Sequence, residues 1–435
     1  MRPGARTTHG TIETLLLICY LVPINALAGQ TISPTLPDRA ANSPRPAATS
    51  QSKHSAPSAK QKSRQEFVED VVNSAVALPQ PDPQDRLRVL YAAANVISPI
   101  DNKLAQQFAQ EGTRIETELV TQGEKPAVSM LASGHVDCAS AVTFVKTIPP
   151  TAVLDAEQSL LGAITMCPKQ VQEPAKRKLE AGVQQGTVAA RPILALMDAE
   201  DPKSAWSQAM FAKIFAALPA DAPSFANEAP NYAALFARAA PEMDMDAVTT
   251  AGLKFLLWLG KVPDSPERNV AVNMVTGALR SILGKDAYAE LLRSDIMAQQ
   301  VANSAGQDIM ILPPEEESVS VLRAMDNKSD RTDELQAMSP SLRAREAAAS
   351  GFASGKSGDR KLADHYFDIA FSSLDEVWSR RASLKTSASA VVEEVSEAAA
   401  QVDPVEALQR SQRLQDPSAE AISMLAVARV VVGEP

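Results

Sequence analysis

The stretch DRKLADHYFDIAFSSLDEVWSR, residues 359–380, decides the fold. Within it Leu362, Tyr366, Ile369, Ala370, Leu374 and Val377 recur at three- and four-residue spacing, which sets them along one stripe of an α-helix. The same spacing brings Val248, Phe255, Leu256 and Leu259 together ahead of Gly260.

Working outward, the punctuation is that of helices. Asp-Pro recurs at Asp82-Pro83, Asp201-Pro202, Asp403-Pro404 and Asp416-Pro417, where Asp caps orphan amides and Pro supplies a pre-set first-turn dihedral. Ser98-Pro99 and Ser339-Pro340 read as the same device, and Gly123, Gly260 and Gly284 as left-handed C-terminal caps. Strand signals are confined to 308–312 and 318–322, neither with a clear partner. The chain therefore reads as all-α, built from stacked helix hairpins.

Internal repetition supports that reading. Asp101 to Ala105 followed by Phe108 aligns with Asp359 to Ala363 followed by Tyr366, and Asp82-Pro83 with Ala92, Ala94 and Val96 aligns with Asp416-Pro417 with Ala426, Ala428 and Val430. In one window Gly351, Ala363, Phe367 and Ala370 have the spacing of the small residue, Ala, aromatic and Ala of a tetratricopeptide repeat, which this stretch of about 34 residues resembles. It departs from that family at Ala347, Ser350 and Ser354, where large residues are usual, and at Asp375, where a closing Pro is usual. The resemblance implies an α-solenoid-like stack that binds peptides or proteins.

A break is expected where Asp308 to Leu312 runs into Pro313-Pro314 and Glu315 to Glu317, since proline blocks a continuing helix and the acids suit a new first turn. This divides the body into an N-terminal helical domain, 65–312, and a C-terminal helical-repeat domain, 313–435. Residues 29–64 are rich in Pro, Ser, Ala, Gln and Thr and lack aromatics, so they read as a disordered linker. The linker carries six basic residues against Asp38, whereas the whole chain of 435 residues has a formal charge of −10. An acidic body repels phosphate backbones, so no nucleic-acid partner is expected.

Ahead of the linker, Arg2 and Arg6 precede an apolar run from Leu15 that closes in Ala26-Leu27-Ala28. This reads as a signal peptide, 1–28, cut between Ala28 and Gly29. The run is shorter than the roughly 20 apolar residues a membrane anchor needs, and no later segment qualifies, so no transmembrane span is expected after cleavage. The mature protein is then periplasmic or secreted, where cysteines meet an oxidising environment.

Two cysteines remain beyond the leader. A helix over 138–147 and a second over about 151–166, paired antiparallel, bring the start of one beside the end of the other, so Cys138 and Cys167 are disulfide candidates.

No stretch of the sequence carries a complete site of chemistry. Gly351 to Ser357 has one residue too few between its glycines for a phosphate-binding loop and follows a helix instead of a strand. Asp326 to Asp330 fails as a calcium loop because Lys328 stands at a ligand position and Arg331 at the turn glycine. His135, Asp137 and Cys138 lack the fourth clustered ligand a zinc site wants, and Asp137 reads as a helix cap. His365 falls within the amphipathic helix, and Trp206, Trp258 and Trp378 read as core. No catalytic, cofactor or metal residue is nominated.

By elimination the chain reads as an exported, non-enzymatic scaffold for a protein partner in the cell envelope or outside the cell. The alternatives are a helical-toroid enzyme that cuts envelope glycan through paired carboxylates, and an apolar-ligand carrier.

Overall fold

In the computed structural model residues 360–379 form a helix whose two ends are fixed by their own sequence: Asp359 caps the first turn by accepting from the Leu362 amide at 3.2 Å, and the helix ends at Arg380. Tyr366, Ala370, Leu374 and Val377 are buried, as are Phe367, Phe371 and Trp378, while Leu362 and Ile369 are half-buried. The buried face is wider than a single stripe because this helix is covered on more than one side.

The structure describes residues 59–200, 203–304, 332–381 and 387–433, all within the packed unit Pro57–Pro435. Among the described residues there is no strand, and the fold is all-α. The signal peptide with Ala28 and Gly29, most of the linker, Asp201-Pro202, the strand-like stretches 308–312 and 318–322, Asp326 to Asp330 and the boundary at 312–313 lie outside the described residues.

In chain order the helices are α1 (Ala59–Ala77), α2 (Pro83–Ile97), α3 (Asn102–Thr121), α4 (Cys138–Thr147), α5 (Glu157–Met166), α6 (Pro168–Gln184), α7 (Ala190–Ala199), α8 (Ala205–Ala216), α9 (Ala229–Ala239), α10 (Met245–Leu259), α11 (Pro266–Ser294) and α12 (Ile296–Ser304). They continue with α13 (Thr332–Gln336), α14 (Pro340–Ser357), α15 (Arg360–Ser379), α16 (Ala388–Ala400), α17 (Pro404–Ser411) and α18 (Pro417–Gly433). Short 3-10 turns, among them Met130–Ala132 and Pro150–Ala152, join some of them.

Caps explain many of the starts. Asp82, Asp101, Asp137, Asp403 and Asp416 each accept from backbone amides two or three residues ahead. Three punctuation marks differ from the sequence reading. Ser98 closes α2 instead of opening a helix, because its φ/ψ are still right-handed helical and the cap falls to Asp101. Gly260 has φ −64°, so α10 ends without a left-handed residue. Gly284 has φ +77° inside α11 and bends that helix in two. Gly123, at φ +79°, does take a positive φ just past α3.

The packing order is not the chain order. C-terminal α18 lies against α16 and α17 and also against N-terminal α1 and α2. That double duty is written in its sequence: Ile422, Met424, Leu425, Ala426, Val427 and Ala428 are all buried, so the helix is apolar all round. α1 meets it with Val68, Val71, Val72 and Ala75. Arg381, just past α15, reaches Asp85 of α2 at 3.8 Å. α1 begins at Ala59, inside the stretch assigned to the linker, because its polar first turns extend a helix whose apolar seam starts at Val68.

Elsewhere α9, α10 and α11 pack together and α8 joins through α10. Their core is aromatic: Phe211, Phe215 and Phe236 lie in mutual ring contact, Phe255 packs on Phe215 and Phe236, and Trp258 sits between Phe255 and Tyr232. Among the described residues no helix is long and apolar enough to cross a membrane.

Candidate interaction groove

α14 is an alanine-rich helix of two faces. Ala344, Ala347 and Gly351 turn inward, and a β-carbon on Gly351 would stand 3.0 Å from the Phe367 ring, so the absence of a side chain is what lets α14 and α15 close up. Gly358, at φ +89°, ends α14 in the left-handed region, which turns the chain directly into α15.

The other face of α14 looks across to α16. Between them runs a groove of about 730 Å³ whose floor is Ala348, Ala349, Phe352, Ala353, Val395 and Ala398. Its rim is charged with both signs. At one end the Arg345 guanidinium donates to both oxygens of Glu394, at 2.7 and 3.1 Å. At the other, the Lys356 ammonium lies 5.3 Å from the centre of the Phe352 ring and donates to the Gln401 carbonyl at 3.4 Å. Arg429 of α18 holds Glu393 and Glu397 from behind. The two rim carboxylates, Glu394 and Glu397, are thus each engaged by an arginine.

Such a groove is built for contact. A floor of alanines leaves room for large apolar side chains from outside, each worth about 1.5–3 kcal/mol when fully buried, and rim ion pairs fix direction more than affinity. From Arg345 to Ser357 its wall measures about 18 Å at the helical rise of 1.5 Å per residue.

The sequence-nominated residues lie elsewhere. The structure joins Cys138, first residue of α4, to Cys167 at the end of α5, with their Cα atoms 5.5 Å apart. The second helix of this hairpin begins at Glu157 and not near 151, since Pro149 and Pro150 impose a 3-10 turn first. Asp137 caps α4 through the Ser140 amide at 2.7 Å, and His135 Nε2 lies 3.1 Å from Asn95 Oδ1. Residues 351–357 belong to α14, so the loop-like glycines are helical. His365 pairs with Thr332 at 2.9 Å. Trp258 and Trp378 are core, and Trp206 is half-buried beneath Lys176. Among the described residues no group of three or more His, Cys, Asp or Glu side chains is placed to hold a metal ion.

Sequence reasoning missed Glu116. On α3 it follows Ala105, Phe108, Ala109 and Gly112 in the buried register, with Leu119 next, so a carboxylate standing in an apolar stripe was the available signal. It is 0% exposed, accepts from the Ser159 hydroxyl and from the Met130 amide at 3.0 Å, and burial pushes its pKa up to about 7.

A second, more open groove of about 690 Å³ runs between α3 and α4, lined by Thr113, Thr117, Thr121, Thr143 and Thr147. Each of these hydroxyls donates to the carbonyl four residues back, which leaves mostly methyl groups facing out.

Comparison with protein-family models, with curated proteins and with solved structures finds no match to this chain.

Proposed function

We propose that this chain is an exported helical-repeat scaffold that holds a segment of a partner protein in the groove between α14 and α16. The observation that carries the reading is that groove: an alanine-rich floor between two helices, along a wall about 18 Å long, with ion pairs at its edges. Export is supported by the basic-apolar leader ending at Ala28 and by the joined pair Cys138 and Cys167, which suits an oxidising compartment of the cell envelope or its exterior. The glycan-cutting alternative wants a free acid and a free base facing one another, whereas Glu394 and Glu397 serve arginines.

The test is a filled groove. Ala353→Arg places a long charged side chain on the floor at a half-buried position of α14. Partner recovery from the native compartment, quantified by mass spectrometry against wild type, should fall at least about tenfold, the effect of losing roughly 1.4 kcal/mol. The helical circular dichroism should be unchanged. An identical set and amount of recovered proteins would remove the groove from the account.

A further inference from the structure

Glu116 joins three elements of the fold. It projects from α3, receives the Ser159 hydroxyl of α5, and receives the amide of Met130, the first residue of the 130–132 turn. That amide is an orphan donor of the turn, so the carboxyl also serves as its cap. Its partners are hydroxyls and backbone amides instead of a cation.

Beside it lies a cavity of about 260 Å³, volume enough for several waters. Ser129 and Ser159 form its inner wall, and both hydroxyls lie buried beside the carboxyl. The charged and titratable groups facing this cavity are Tyr91 from α2, Lys125 from the loop after α3, and Asp155 from the turn before α5. Burial raises the Asp155 carboxyl, and Lys125 opposes that. Of the other charges on the packed elements, Arg86 is turned to Glu111, Arg88 to Asp85, Arg114 to Glu118, Arg191 to Glu157, Asp137 to the α4 cap and His135 to Asn95, while Lys103 and Glu124 are exposed. Lys146 sits in the last turn of α4.

We propose that Glu116 is a proton-operated latch: when this buried carboxyl ionises, the joint between α3, the 130–132 turn and α5 loosens and water enters it from the cavity beside Ser129 and Ser159. A protonated carboxyl completes a dry, neutral joint. A carboxylate there is a buried charge without a counter-ion, and the nearest route to hydration is through the adjoining cavity. The burial-raised titration puts the change near neutrality. The inference is independent of the α14–α16 groove.

Hydrogen exchange of the full-length protein tests it. Amides in 125–133 and 155–160 are followed at pH 5.5 and 8.5, corrected for intrinsic rates, with α10 as internal reference. A carboxyl that titrates at about 7 when closed and 4.5 when open makes local opening about thirtyfold more favourable at the higher pH. In Glu116→Gln, which mimics the protonated form, that rise should vanish. Ser159→Ala, which removes a donor to the carboxylate, should enlarge the rise, whereas a merely looser joint would exchange faster by the same factor at both pH values. An equal rise in wild type and Glu116→Gln, or no rise in wild type beyond that of α10, would overturn the proposal.

Discussion

Gly355 of α14 presents a bare α-carbon to Val402: a β-carbon there would stand 2.5 Å from Val402 Cγ1 and 2.8 Å from Cγ2. Val402 follows α16, so this contact closes one end of the groove and sets how near the two helices come. A β-branched side chain has little freedom to yield. Gly355→Ala should therefore wedge the joint and cost about 1–3 kcal/mol despite the better helix propensity of alanine. Urea unfolding monitored by circular dichroism measures it, and a variant as stable as wild type would mean that Val402 moves aside freely.

The Cys138–Cys167 link closes a loop with a sequence separation of 29. In the chain-entropy description a loop of that size stabilises by about 3–4 kcal/mol. Reduction, or the double substitution Cys138→Ala with Cys167→Ala, should lower the urea midpoint accordingly. Two thiols titrating in the unreduced protein, with no change in midpoint on reduction, would contradict the link.

Glu116 makes global stability depend on pH with a definite sign. Its carboxyl is raised from 4.5 to about 7 by burial, so the folded state keeps a proton that the unfolded state has released. The group's contribution is full below pH 4.5 and is lost as pH rises through about 7, a change of about 3 kcal/mol. Glu116→Gln should be more stable than wild type at pH 8, with the gap narrowing toward pH 5. Parallel stability curves for the two proteins would show that the carboxyl does not titrate in this range.

Much of the fold was legible because helices announce themselves locally. The 359–380 stripe, the Asp caps at 82, 137, 403 and 416, and the 138–147 helix depend on residues a few positions apart, which is the range a sequence displays directly. Gly260 and Ser98 misled for the opposite reason: whether a Gly turns left-handed or a Ser-Pro starts a helix depends on where the next element packs. The contact of α18 with α1 joins distant parts of the chain, and only the all-round apolar character of 421–428 hints at it.

The groove was hidden by its own chemistry. Ala348, Ala349 and Ala353 are the residues any helix–helix contact would use, and the sequence does not say which alanines face a neighbour and which face outward. Glu116 was hidden differently. A sequence displays chemistry as clusters of His, Cys and Asp, whereas this acid is isolated in sequence and acquires its partners, Ser159 and Met130, from other elements.

The central claim is that the α14–α16 groove receives a partner protein, and photo-crosslinking in the native compartment tests it most directly. A benzophenone amino acid is placed at Ala349 on the groove floor, or at exposed Gln299 on α12 as the control. The account expects a discrete heterologous protein adduct from position 349, lost when Ala353→Arg fills the groove, and none from position 299. Adducts of equal pattern from both positions, or adducts from 349 only to a second copy of this chain, would contradict it.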